Sequence, residues 1–225
     1  MSTATDRPLA FLGGTFDPVH LGHLRVAWEA AEFLGADVHL MPANVPPHRA
    51  QPIASAAQRV AILRAALQGQ ERLILDEREL RRDGPSYTVD TLVALRKEIG
   101  ATRPVVLLVG ADAFSGLPSW HRWRELFDLA HIGVLTRAGH EIIESAELIG
   151  QIGTRRTDSP AELRQSANGA VIEIRVSALE ISATQIRHEL AAGREPRYLV
   201  PAGVLADESL LRPYRTPAGD SRSVS

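Results

Sequence analysis

Leu9–Leu24 reads LAFLGGTFDPVHLGHL, and the fold follows from how this stretch is understood. Leu9, Ala10, Phe11 and Leu12 form a short apolar run suited to a buried strand. Gly13 and Gly14 then allow a sharp turn and a close approach of backbone to ligand. Pro18 disfavours helical backbone at Asp17, so a helix is expected only from about Leu21. His23 then falls in its first turn and His20 just ahead of it. Unpaired N–H groups and the positive end of the helix dipole favour an anion there. Two imidazoles, backbone amides and Thr15 would converge on one small volume, an arrangement suited to charge that builds up in phosphoryl or nucleotidyl transfer. Taken singly, the glycine pair is an ordinary turn and the two histidines a metal half-site or surface residues. Taken together, the string points to a nucleotide site.

A strand–Gly-Gly–helix unit calls for a sheet with helices on both faces, and the rest of the chain supplies one. Leu24–Leu34 carries apolar residues along one helical face and ends at Gly35, a natural stop. Strands are expected at Val38–Met41, Leu73–Leu75, Val105–Val109, Ile132–Thr136 and Val171–Val176. Helices are expected at Ser55–Leu67, Thr88–Ile99 and Ser119–Leu129, with one or two more between Gly139 and Gly169. Ile181–Leu190 begins a further helix, with Ser182 as cap and Gln185 three residues on. The alternation implies an α/β fold, a single Rossmann-like doubly wound parallel sheet, with ligands outside the carboxyl ends of its strands. One domain is expected over residues 1–212, and Pro213–Ser225, polar and rich in Pro, Gly and Ser, reads as a flexible tail.

Bulk properties narrow the function. The 225 residues carry a net charge of -2, without the basic field that nonspecific nucleic-acid binding usually requires, so no nucleic-acid partner is expected. Cysteine is absent, which excludes disulfides and thiolate ligands and fits a reducing cytoplasm. No stretch approaches the roughly 18 apolar residues of a membrane span, and the N-terminus lacks the pattern of a signal peptide.

The first stretch closely resembles the HxGH signature of the nucleotidylyltransferase superfamily, and ISATQIR, from Ile181 to Arg187, resembles its companion ISSTxIR motif with Ala183 in place of a serine. GGTFDPVHLGHL, PANVPPHR, DERELRRDGPSYTVDTL, VGADAFSGLPSWHRW and ISATQIR also occur in the order found in bacterial nicotinate-nucleotide adenylyltransferases, up to about residue 193. That resemblance implies transfer of AMP from ATP to nicotinate mononucleotide, giving deamido-NAD and pyrophosphate. It implies His20, His23 and Arg187 as catalytic residues. ATP would meet Gly13, Gly14, Thr15, Phe16, His20, His23, Gly110, Asp112, Ile181, Ser182, Thr184 and Arg187. The mononucleotide would meet Asn44, His48, Arg49, Tyr87, Thr88, Asp112, Trp120 and Arg137. A cationic pyridinium suits the face of Trp120, whereas Trp123 suits the core. The N–H groups where a helix begins at Tyr87 and Thr88 suit the nicotinate carboxylate. Magnesium is expected to arrive on ATP, with no metal ligands supplied by the protein. Nicotinamide mononucleotide or phosphopantetheine as acceptor, a catalytically silent nucleotide-binding module, and a metal-dependent hydrolase stay open as alternatives.

Overall fold

A computed structural model describes residues 7–44, 51–82, 84, 86–137, 139, 142–177 and 179–215. In chain order its regular elements are β1 (Leu9–Gly14), α1 (Leu21–Leu34), β2 (Asp37–Pro42), α2 (Ala56–Ala66), β3 (Leu73–Leu75), α3 (Thr88–Ile99), β4 (Val105–Gly110) and α4 (Ala111–Ser115). There follow α5 (Leu126–Leu129), β5 (His131–Thr136), α6 (Ala146–Ile152), β6 (Arg156–Thr157), β7 (Val171–Arg175), α7 (Ala183–Ala191), α8 (Ala202–Leu205) and α9 (Glu208–Arg215). The strands form one sheet in the order β3-β2-β1-β4-β5-β7-β6. Every neighbouring pair in it is parallel.

Parallel strands joined by helices are covered on both faces, which is why the central strands read as unbroken apolar runs. Val106 and Leu108 point into one core layer with Ala10, shared with α1, α2, α7 and α9. Val105, Leu107 and Val109 point into the other with Leu9 and Phe11, shared with α3, α5 and α6. Each fully buried Val or Leu contributes roughly 1.5–3 kcal/mol relative to exposure, so the strand pair at the centre is the best-anchored part of the molecule. Gly133 in β5 fits this packing, since a Cβ there would come within 2.8 Å of Leu108 Cδ2. The order of strand addition switches sides between β1 and β4: β2 and β3 lie to one side, β4 and β5 to the other. A crevice therefore opens beyond the carboxyl ends of β1 and β4, where open sheets bind ligands.

Two expectations are corrected, for Ser119–Leu129 and for the C-terminal tail. The single helix anticipated from Ser119 to Leu129 is two 3-10 turns, Leu117–Ser119 and Trp123–Glu125, followed by the short α5. Arg122 sits between them in the left-handed region with φ 53, where its guanidinium binds Glu125 and Asp90 at 2.9 Å and 3.2 Å. Trp123 is thereby turned into the core while Trp120 stays at the surface of the crevice. Between Gly139 and Gly169, where one or two helices were expected, the described residues form one α-helix, α6, together with a 3-10 turn and β6, whose residues extend the sheet edge beside β7. The chain also remains ordered past Pro213: α9 continues to Arg215 and buries Tyr214, whose phenol is satisfied inside the protein. The rest of the expected tail, 216–225, lies outside the described residues. Among the described residues no helix is long and apolar enough to cross a membrane.

Candidate active site

The carboxyl ends of β1 and β4 deliver Gly13, Gly14 and Gly110 to the floor of a crevice of 910 Å³. Thr15, His20 and His23 line one wall, and Ile181, Ser182 and Ala183 the wall beside it. Asp112, Tyr87, Thr88, Trp120 and Arg137 line the crevice as well. Residues read from five separated segments of the sequence are thus brought to one cavity. Phe16 belongs to the loop but not to the lining: it is buried with φ 49, and its ring packs edge-on against His23 at 5.1 Å.

The histidine pair is built by the helix that it opens. His20 is the N-cap of α1 and His23 its third residue, and each caps the other. The His23 N–H donates to His20 Nδ1 and the His20 N–H to His23 Nδ1, both at 3.4 Å. This is the reciprocal capping box in which a Ser and a Glu more often serve. An Nδ1 that accepts leaves the proton of a neutral imidazole on Nε2, so each ring is poised to donate through Nε2. The rings stack at 3.7 Å with 25° between their planes. Burial holds His20 well below the ordinary range, at about 4, so it is a neutral donor at physiological pH. Gly22 completes the motif for a steric reason. A Cβ there would lie 3.0 Å from His20 Nδ1.

This neutrality sets a pH dependence. In the unfolded chain His20 titrates near 6.5, so below that pH the unfolded state takes up a proton that the folded state refuses until about 4. Its neutral cap therefore contributes stability that is intact above 6.5 and is lost as pH falls toward 4. The prediction is a melting temperature that declines from pH 6.5 to 4 in the wild type and declines less in His20→Asn, which keeps a capping side chain without the titration. Equal declines in the two proteins would contradict it.

The third wall comes from the start of α7. Ser182 Oγ caps the helix by accepting from the Gln185 N–H at 3.1 Å, as expected. The N–H groups of Ala183 and Thr184 precede the first intrahelical hydrogen bond and face the anion-favouring end of the dipole. Thr184 and Arg187 stand behind this edge and do not line the crevice. Arg187 donates from Nη1 to the Asp17 carbonyl at 2.8 Å and from Nη2 to Thr184 Oγ1 at 3.1 Å, which commits two of its five N–H groups.

Tyr87 occupies the N-cap position of α3 and Thr88 begins the helix, so their N–H groups head a second helix at the crevice. Tyr87 packs on His121 with ring centroids 4.4 Å apart, which ties the Trp120 segment to this helix start. Asn44 is spent on structure here: its N–H donates to Ser86 Oγ at 3.0 Å and its Nδ2 to the Arg82 carbonyl at 2.9 Å, and it does not line the crevice. It braces the wall that carries Tyr87. His48 and Arg49 lie outside the described residues. Glu79, Ser86 and His121 line the crevice without having been anticipated. The Glu79 carboxyl accepts from Thr91 Oγ1 at 2.9 Å, and burial raises its pKa. Nothing in the run ERELRR distinguishes Glu79 from Glu77 until the fold buries one and exposes more of the other. Among the described residues no group of three or more His, Cys, Asp or Glu side chains is placed to hold a metal ion.

Residues 11–189 match the cytidylyltransferase-like family. A Pseudomonas putida protein named "Probable nicotinate-nucleotide adenylyltransferase" is 47% identical over 212 residues, covering 94% of this chain and 96% of its own. A protein of the same name from Marinobacter nauticus is 48% identical over 193 residues, covering 85% and 89%. Among solved structures, the nicotinic acid mononucleotide adenylyltransferase of Plasmodium falciparum in complex with NaAD shares the fold, with a TM-score of 0.65 over 92% of this chain and 96% of that one at 12% identity. By its HxGH crevice, its second helix-borne motif and nearly full-length identity to these relatives, the chain belongs to the nicotinate-nucleotide adenylyltransferase family of cytidylyltransferase-like proteins.

Proposed function

We propose that the protein joins ATP to nicotinate mononucleotide, forming deamido-NAD and releasing pyrophosphate, a step in NAD biosynthesis. The observation that carries this reading is a crevice lined by two helix starts that come from opposite faces of the sheet, α7 on the face of α1 and α3 on the other. The first suits a triphosphate and the second a small carboxylate. A pyridinium against Trp120 is favoured by the ring face, and its carboxylate can use the Tyr87 and Thr88 N–H groups, where an amide would leave half of that capacity unmet. Nicotinamide mononucleotide and phosphopantetheine lack this combined match.

In the proposed reaction the 5′-phosphate oxygen of the mononucleotide attacks the α-phosphorus of ATP, the bond to the bridging oxygen breaks, and pyrophosphate leaves. The attacking phosphate is ionised near neutrality, so no strong base is required. Catalysis then consists of holding two polyanions in line and stabilising the charge that develops between them. His20 and His23 donate through Nε2 to the reacting phosphates. Gly13, Gly14 and Gly110 admit the nucleotide close to the strand ends, Thr15, Ser182 and the α7 start hold the triphosphate, and Arg187 places its charge behind them. Asp112 serves the ribose hydroxyls and Arg137 adds positive charge near the mononucleotide. Magnesium enters with ATP as part of that substrate and screens its phosphates.

The test is pyrophosphate release with ATP and magnesium, comparing nicotinate mononucleotide, nicotinamide mononucleotide and phosphopantetheine. A strong preference for the acid supports the reading. Faster release with either other acceptor would overturn the assignment of Tyr87 and Thr88.

A further inference from the structure

Beneath the histidine loop lies a buried group of charges that the proposed reaction does not use. Asp17 Oδ2 accepts from the Ile53 N–H at 2.8 Å, and Oδ1 accepts from the Ala54 N–H at 3.0 Å and from the Tyr214 hydroxyl at 2.8 Å. Tyr214 reaches this point from α9, 197 residues along the chain, and is 2% exposed. Arg59, 1% exposed, approaches from α2 and donates from Nη1 to the Thr15 carbonyl at 2.8 Å. Arg187 donates to the carbonyl of Asp17 itself, the same residue whose carboxylate Tyr214 holds. The charges of Asp17, Arg59 and Arg187 all act on the Tyr214 phenol.

We propose that Tyr214 is a positioning residue of the ATP site: by occupying the Asp17 carboxylate it keeps that carboxylate from pairing with Arg187, whose charge stays available to the triphosphate. The proposal rests on reading the α7 start in the crevice as an ATP site. A carboxylate offers about four acceptor positions, and backbone N–H groups and the phenol fill three of them. A guanidinium prefers a carboxylate to a backbone carbonyl because the carboxylate adds an opposite full charge to the hydrogen bond. With an open position on Oδ1, the Asp17 carboxylate would draw Arg187 out of its bonds to the Asp17 carbonyl and Thr184 and neutralise it. Tyr214 is suited to prevent this because it donates without bringing a charge. Burial, with the adjacent Asp17 charge, pushes its phenol up and keeps the proton on. Arg59 supports the arrangement by facing Asp17 with a cation that has no access to the crevice.

The test is calorimetric titration of ATP into the full chain and its variants, with KM for nicotinate mononucleotide as the internal comparison. Tyr214→Phe keeps the buried ring and removes the hydroxyl. It is expected to weaken ATP binding about tenfold, the size of one charge-assisted hydrogen bond, while KM for the mononucleotide changes by less than about twofold. Because the effect is exerted through Arg187, Tyr214→Phe added to Arg187→Ala should weaken ATP binding no further. A purely structural role would instead raise both substrate constants together, or add to Arg187→Ala, and either result overturns the proposal. Should Tyr214→Phe not fold, Arg59→Gln tests the same balance: it should weaken ATP binding selectively, and Arg59→Lys should restore it. Unchanged affinity in Arg59→Gln would then refute the proposal. Wild-type protein that binds ATP but makes no deamido-NAD would remove the acceptor assignment and with it the KM comparison, while the ATP titrations of Tyr214→Phe, Arg187→Ala and the double variant would still decide the proposal.

Discussion

Replacing His23 with Ala is expected to lower kcat by about 100-fold or more, the scale of losing one preorganised donor at developing charge. His23 lines the crevice, and its Nδ1 accepts from the His20 N–H, so its Nε2 proton is directed away from the helix start. The same bond is half of the reciprocal cap on α1. Its loss costs about 1 kcal/mol, and for a chain of this size that lowers the melting temperature by only about 2–4 °C. The two consequences separate experimentally: a large fall in kcat with a small fall in Tm, and little change in KM for the mononucleotide, whose ring is proposed to bind at Trp120 and the α3 start. Near-normal turnover in His23→Ala, measured as pyrophosphate release at saturating substrates, would remove this residue from the mechanism.

Gly22→Ala is expected to reduce kcat by about 10- to 100-fold with little change in stability, because displacing a reacting group by well under 1 Å already costs heavily in an aligned transfer. The added Cβ would lie 3.0 Å from His20 Nδ1, 3.1 Å from His20 Cε1 and 3.7 Å from the Ile181 carbonyl. His20 is buried and stacked on His23, so its ring has little room to retreat except by losing the cap or the stack. Gly22 is itself a helical residue, and Ala in a helix is favoured over Gly by up to about 1 kcal/mol. The signature is a much slower enzyme whose Tm is nearly level, the helix gain offsetting the crowding of the cap. Unchanged kcat would show that the His20 ring position does not matter to the reaction.

How much of this was legible in the sequence depends on whether the deciding interactions were local. The helix at Leu21, its stop at Gly35 and the Ser55 and Ser182 caps were all read correctly, because each is set by residues within a few positions. The central strands were legible because burial on both faces leaves an apolar run with no alternation to misread. The Trp120–Trp123 segment was not. Its break lies at Arg122, a residue with no intrinsic liking for positive φ, held there by ion pairs to Glu125 and to Asp90 on α3. Tyr214 falls in the expected tail for the same reason: Pro213 and polar neighbours mark a loose end, whereas its hydrogen bond to Asp17 and the packing of α9 on α2 and α7 come from distant parts of the chain. Within the crevice the motif residues of the β1 and β4 ends, the α7 start and the α3 start were anticipated and are brought together. Asn44, Thr184 and Arg187 are near the crevice but bonded to its supports, a distinction that motif matching does not carry. His20 and His23 were expected as phosphate donors, and the structure adds that each fixes the other's tautomer.

One crevice is proposed to transfer AMP directly between ATP and the pyridine mononucleotide. Incorporation of labelled pyrophosphate into ATP, with and without deamido-NAD, tests it most directly. Direct transfer predicts labelled ATP when pyrophosphate and deamido-NAD are supplied together, and none when pyrophosphate and unlabelled ATP are incubated without a pyridine nucleotide. Label entering ATP in the absence of any pyridine nucleotide would reveal an adenylylated enzyme, and no label with deamido-NAD would show that the crevice serves a different acceptor.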